Sequence, residues 1–216
     1  MNFYIIVEGD VEKEVYSKWI PSIRPGLTLV DHPSKLTTDN FVIVSGGGYP
    51  FYMQIIESAI EDLRGGDGIR LVVSVDSEEM KRNEKYVEIE GHIQSILDFA
   101  LDYRIVVQHC CFETWALGNK RAGPRRPEDP ELKILKQFFD VMTKDPEDMP
   151  ALEGLNRAQS ALRYLRKMLS DRGHRVSYSK SNPTVVARVD YFDELKKRHM
   201  ATQHIDSISA FLGAFA

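Results

Sequence analysis

Four short apolar runs, each stopped by residues suited to chemistry and each followed by a helical period, constrain this chain more than any other feature. Residues 3–7 (Phe-Tyr-Ile-Ile-Val), 41–44 (Phe-Val-Ile-Val), 71–75 (Leu-Val-Val-Ser-Val) and 105–108 (Ile-Val-Val-Gln) are continuous rather than alternating. That is the pattern of strands buried on both faces of a parallel sheet. Between the first two runs Val11, Val15 and Trp19 recur at helical spacing, and Pro21 is expected to end that helix. After the second, Met53, Ile56, Ile60 and Leu63 share a helical face, with Gly65-Gly66 as the stop. A helix over 86–101 carries Ile89, Ile93, Ile96, Leu97 and Ala100 as its stripe. The alternation predicts an α/β fold, a doubly wound, mostly parallel four-stranded sheet with helices on both faces.

The second half reads differently. Residues 118–130 hold two Gly and three Pro among basic side chains, the composition of a loop or boundary. Helices are expected over 131–142, 152–169 (Leu152, Leu155, Leu162, Leu165 and Leu169 on one face), 191–199 and 205–215, with a short strand at 175–178. The chain therefore divides into a core, 1–119, and a mainly helical C-terminal extension, 120–216, packing on it.

Hydrophobic residues make up 43% of the 216, enough for a substantial core, and no apolar run approaches the ~20 residues that span a bilayer. Strand-like sequence begins at once after Met1, without a basic leader, and the only two cysteines, Cys110 and Cys111, are adjacent and ill-suited to a disulfide framework. A cytoplasmic protein without a membrane segment is the expectation. A net charge of −4 argues against coating nucleic acid by bulk charge. An enzyme acting on nucleic acid remains open, because acidic metal sites lower net charge while local clusters bind phosphate. Two such clusters exist: Lys120, Arg121, Arg125 and Arg126, and Arg157, Arg163, Arg166, Lys167, Arg172 and Arg175. The apolar end of the chain, with Phe211, Leu212 and Phe215, fits either a homodimer contact or packing on its own domain.

Ligands of open parallel sheets bind at the carboxyl ends of the strands, where strand order reverses. The first run ends in Glu8-Gly9, the second in Ser45-Gly46-Gly47-Gly48, the third in Asp76-Ser77-Glu78-Glu79, and the fourth runs on to Glu113. If the first and third strands are neighbours, Glu8, Asp76 and Glu78 converge and repel unless a cation neutralises them. Hard carboxylate oxygens suit Mg²⁺ or Mn²⁺, which polarise phosphate and activate a nucleophile. Gly9 permits a sharp turn and close approach of a ligand. Glu12 either orients a metal-bound water or stabilises a helix N-terminus. Asp76-Ser77 alternatively caps the next helix.

The stretch from Phe3 to Glu12, a strand ending in Glu8-Gly9, resembles the opening motif of Toprim domains. The run ending in Asp76-Ser77-Glu78 is similar to the second Toprim motif, strand then Asp-x-Asp, with Glu in place of the second Asp. The segment Cys111-Phe112-Glu113-Thr114-Trp115 and a later Tyr178-Ser-Lys180 resemble compact bacterial Toprim proteins related to the OLD and RloB nucleases. The resemblance covers about residues 3–117. It implies Glu8, Asp76 and Glu78 as metal-site residues on Mg²⁺ or Mn²⁺, a nuclease acting on DNA or RNA, a role in antiviral defence, and an ATPase partner. With no Gly-x-x-x-x-Gly-Lys-Ser/Thr loop here, that ATPase is a separate polypeptide.

Several residues carry two readings. The Gly46-Gly47 turn either faces substrate with its amides or is a flexible strand-to-helix connection. Glu113 is a further metal or supporting residue, or a buried partnered acid beside Trp115. Lys180 reaches developing phosphate charge, or flanks a strand. His92 and His109 lack metal-ligand partners at the usual spacing. Two other functions compete with the nuclease: a non-catalytic Toprim-like module that binds nucleic acid or nucleotide or regulates a partner ATPase, and a small-molecule phosphohydrolase.

Overall fold

The computed structural model describes residues 1–171 and 177–216. Its central strand, β1 (Asn2–Val7), is buried along all six residues, which is why its run is apolar without alternation. β1 pairs in parallel with β3 (Asn40–Ser45) on one side and β4 (Ile69–Asp76) on the other, Ile5 lying opposite both Ile43 and Val72. β5 (Asp102–Gln108) pairs with β4, and β2 (Thr28–Val30) with β3, also in parallel. The order is β2-β3-β1-β4-β5.

The sheet thus has five parallel strands where the sequence indicates four. The added one, β2, is three residues long at the edge, and Leu29 within it is 51% exposed. So short and wet a strand leaves no apolar run to read.

Successive side chains leave a strand on opposite faces. Phe3, Ile5, Val7, Phe41, Val72 and Val106 enter the core shared with α1 (Asp10–Ile23) and the C-terminal helices. Tyr4, Ile6, Val42, Leu71, Val73 and Val107 enter a second core beneath α2 (Phe51–Asp62) and α3 (Arg82–Ile96). Helices therefore cover both faces, as right-handed crossovers require. From β1 the chain crosses to β2 at the edge, comes back as β3 beside β1, and then returns past β1 to β4. The strand order reverses there, and the crevice opens at the carboxyl ends of β1 and β4.

Several element limits differ from the sequence expectation. α1 runs two residues past Pro21, which sits in the final turn where only one hydrogen bond is lost; Arg24 N–H still reaches Ile20 O at 3.0 Å. α3 begins at Arg82 and stops at Ile96, so Ala100 is outside it and exposed. α4 (Phe112–Ala116) follows β5, and α5 (Pro130–Phe138) ends earlier than 142. α6 (Arg157–Ser170) starts five residues after Leu152, because Asn156 caps it and Gly154 at φ +75° turns the chain beforehand. α7 (Val189–Thr202) is longer than expected and α8 (Ile208–Ala214) shorter. Of the strand expected at 175–178, residues 175 and 176 lie outside the described residues; Tyr178 is not in a strand.

The C-terminal helices are not a separate layer of surface. Phe211 and Phe215 are 0% and 1% exposed, packed with Phe3 and Tyr16 (ring centroids 5.2 Å for Phe3–Phe215 and 4.4 Å for Tyr16–Phe211). The apolar chain end is used on its own sheet. No helix among the described residues is long and apolar enough to cross a membrane.

Candidate functional site

A cleft of about 250 Å³ opens at the carboxyl ends of β1 and β4, lined by Glu8, Asp10, Glu12, Asp76, Glu113 and Lys180 together with Gly9 and Val11. Asp10 and Glu12 share the first turn of α1, and the other acids each arrive by a different local route. Glu8 is the first residue beyond β1, and its Oε2 accepts from the Asp76 N–H at 2.8 Å, tying the two strand ends together. Glu12 lies in the first turn of α1 and is buried, because the N-cap Gly9 lets the chain turn from strand to helix beside it; a Cβ at Gly9 would stand 3.4 Å from Glu12 Oε2. Asp76 closes β4. Glu113, 2% exposed, comes from α4, and its Oε1 accepts from the Tyr178 hydroxyl at 2.9 Å. Lys180 enters on a tight turn closed by Ser179 and Asn182.

Carboxylates crowded around one small cleft raise the proton affinity of Glu8, Glu12 and Asp76. Burial, then repulsion from Glu8, Glu12 and Glu113, pushes the Asp76 carboxyl well above the usual range. Burial also lifts Glu8, against the relief supplied by the Asp76 N–H. Glu12 is pushed up to about 7, mainly by burial and then by Glu113 and Glu8. Lys180 is raised, first by Glu113. The Asp76 Oδ1 is buried and has no hydrogen-bond partner among the described residues.

The raised Glu12 has a measurable consequence. Between about pH 4.5 and 7 the folded chain holds a proton that the unfolded chain has released, so stability falls as pH rises through that window, by up to about 3 kcal/mol. Glu147, also held near about 7 by burial, adds a slope of the same sign. Urea midpoints at about pH 5 and about pH 8 without divalent ions, compared between wild type and Glu12→Gln, isolate the Glu12 part. The variant is expected to lose stability with pH less steeply; an unchanged slope refutes the assignment.

The remaining sequence candidates fall elsewhere. Glu78 is exposed at φ +50°, its N–H on Cys110 O at 2.8 Å, and it does not line the cleft, although its charge acts on Glu8. Gly46 is needed for packing: a Cβ there would lie 2.3 Å from Tyr52 Cβ and 3.1 Å from Val7 O. Gly47, at φ +74°, is exposed beside it. Arg157, Arg163 and Lys167 of α6 are engaged with the protein itself: Arg157 Nε with Met149 O (3.2 Å), Arg163 with Glu131, Lys167 with Asp129 and Glu131. Arg172 and Arg175 lie outside the described residues. The other basic cluster borders a cleft of about 650 Å³, lined by Lys120, Arg121, Arg125 and Arg126, where Lys136 Nζ steadies the loop through Arg125 O at 3.2 Å.

His109 braces the loop after β4. Its Nδ1 lies 2.7 Å from Ser77 Oγ and its Nε2 3.2 Å from Arg157, whose guanidinium can only donate. Nε2 therefore accepts and Nδ1 carries the proton, and burial followed by Arg157 holds the imidazole pKa low. His92 contacts Met53 O and Glu57. Cys110 and Cys111 are free thiols, both buried.

Sequence reasoning missed Lys85, which is 5% exposed, bonded to Glu88 at 2.8 Å and to the Tyr52 hydroxyl at 3.3 Å, and close enough to act on Glu8. Nothing in its polar helical neighbourhood signals burial. It also missed the Tyr178 hydroxyl as the group holding Glu113. Among the described residues no three acidic, imidazole or thiol side chains stand at the spacing that holds a metal ion. Comparison of the chain with family models, curated proteins and solved structures finds no match, so a functional reading rests on the chemistry of this cleft.

Proposed function

We propose that the chain is a divalent-metal-dependent nuclease of Toprim type, hydrolysing phosphodiester bonds of DNA or RNA. One observation carries the reading: Asp76, with a buried Oδ1 that has no partner among the described residues, lines a cleft with four further carboxylates (Glu8, Asp10, Glu12 and Glu113) and a single lysine. A buried acceptor among like charges is costly without a cation to complete it. The donor set, all carboxylate oxygen, fits Mg²⁺ or Mn²⁺. Asp76 and Glu8 would hold the ion, with Glu113 beside them. When bound, such an ion supplies electrostatic stabilisation of phosphate and a more acidic water.

The chain's own groups would do the rest. Glu12, whose carboxyl the metal-free cleft pushes up to about 7, lines the same cleft and is placed to take and return a proton there. Lys180 offers positive charge where negative charge gathers on phosphate. Tyr178 keeps Glu113 turned into the cleft. Lys120 and Arg125, both exposed, offer contacts to a polynucleotide backbone. A role in antiviral defence and a separate ATPase partner extend the reading through the resemblance alone.

A second reading is a non-catalytic module of the same type that binds nucleic acid or nucleotide. It is favoured by the absence, among the described residues, of three ligands already at metal spacing. Calorimetric titration with Mn²⁺ and a cleavage assay on mixed DNA and RNA separate the two. The nuclease reading expects binding heat and cleavage in wild type, both lost in Glu8→Ala. No cleavage with any divalent ion favours the module.

A further inference from the structure

Tyr49 and Phe51 are 56% and 61% exposed, the two most exposed aromatic side chains among the described residues, and they flank Pro50 where the loop after β3 enters α2. One ring left in water is unremarkable; two on either side of one proline, one of them held in place, are not accounted for by folding. Tyr49 is the held one. Its ring meets Tyr52 nearly edge-on, centroids 5.9 Å apart at 61°, and Lys85 Nζ sits 4.8 Å from its centroid. Lys85 is itself fixed by Glu88 and Tyr52. The ring is thus oriented by buried groups while more than half of its surface faces solvent.

The same loop is fastened to the carboxylate site. Gly46 N–H donates to Val7 O at 2.7 Å and Gly48 N–H to Glu8 O at 3.0 Å, so Tyr49 directly follows a residue bonded to the backbone of Glu8. The charge of Lys85 is felt at Glu8, and its ammonium rests on Tyr49, linking cleft and ring through one side chain.

We infer that Tyr49 and Phe51 form a stacking platform for unpaired nucleobases of a polynucleotide whose backbone runs past Glu8 and Asp76, which selects single-stranded over duplex nucleic acid. The inference rests on the nuclease reading for the position of the backbone. Aromatic side chains stack on any base, because every base has a π-face, and bases inside a duplex have theirs covered. The platform therefore discriminates strandedness and not sequence, and it does not separate DNA from RNA.

The test measures binding of the full chain, with Ca²⁺ in place of Mg²⁺ or Mn²⁺ so that the carboxylates carry a cation, to a labelled oligothymidylate of roughly 12 nucleotides, to the same strand without bases, to a duplex of that length, and to thymidine monophosphate. Wild type is expected to bind the oligothymidylate best. Tyr49→Ala and Phe51→Ala each weaken that binding roughly 10- to 100-fold, leave abasic and duplex binding unchanged, and leave the salt dependence unaltered. Tyr49→Trp retains affinity, which excludes general damage to the loop. Equal losses on the abasic strand, no loss on the oligothymidylate, no binding by wild type, or a monophosphate bound as tightly as the strand would each overturn the platform. Because no cleavage is required, an inert enzyme with Tyr49-dependent binding refutes the nuclease reading alone.

Discussion

Replacing Asp76 with Asn is expected to abolish metal-dependent cleavage while raising the thermal midpoint of the metal-free protein at neutral pH. The two effects share one cause. Asp76 stands among Glu8, Glu12 and Glu113, and its Oδ1 is buried without a partner among the described residues. Ionising it there works against folding, and the amide removes that charge while Glu8, Glu12 and Glu113 offer acceptors to its NH₂. Relief on the order of 1–3 kcal/mol corresponds to roughly 3–10 °C for a chain of this size. The gain shrinks towards about pH 5, because the raised proton affinity of Asp76 removes the same charge from the wild type as pH falls. On the activity side, residues one step removed from a metal are commonly worth about 10- to 100-fold, so a direct ligand is expected to cost more than about 100-fold. Melting curves at both pH values and a cleavage assay suffice. An Asn variant that still cuts, or one that is less stable at both pH values, shows that Asp76 is a structural residue and not a strained functional one.

How far this site is visible in the sequence depends on how local each of its constraints is. β1 and β4 are legible because burial on two faces demands unbroken apolar runs, and the acids that stop those runs are legible with them. Glu12 is within reach, four residues past Glu8 on the helix that follows. Glu78 shows where the pattern misleads. Asp76 and Glu78 are two apart, as on one face of a strand, but β4 ends at Asp76 and the chain then turns, so the twofold period no longer governs where Glu78 points. Glu113 and Lys180 reach the cleft through packing of α4 and of the Ser179–Asn182 turn, far along the chain from β1, which no spacing records. Helix ends failed for a related reason. The Asn156–Gln159 capping box that starts α6 is present in the sequence, yet Leu152 and Leu155 continue the apolar period through it. Apolar periodicity reports which face is buried, and capping residues report where the helix begins.

Truncating Phe211 to Ala is expected to destabilise the protein by about 3–5 kcal/mol, lowering the thermal midpoint by roughly 10 °C. Phe211 is fully buried and meets five aromatic rings, at 4.4 Å for Tyr16, 5.2 Å for Phe215, 5.7 Å for Trp115, 6.1 Å for Phe192 and 6.3 Å for Trp19. Those rings belong to α1, α4, α7 and the chain end, so no single element can move to fill the space. The helix that carries Phe211 is also tied at both ends. Ser207 at its start accepts from Trp115 Nε1 at 2.5 Å, and Ala214 O at its end accepts from Arg70 at 2.9 Å, within β4. Trp115 is two residues from Glu113, so loosening α8 loosens the helix that brings Glu113 to the cleft. Urea unfolding should show one transition for wild type and variant alike, because the C-terminal helices and the sheet share a core. Met200→Ala, at a side chain 76% exposed, should change the midpoint little. A Phe211→Ala loss below about 1 kcal/mol, or a separate early transition from the C-terminal helices, would mean that these helices attach loosely to the sheet instead of completing its core.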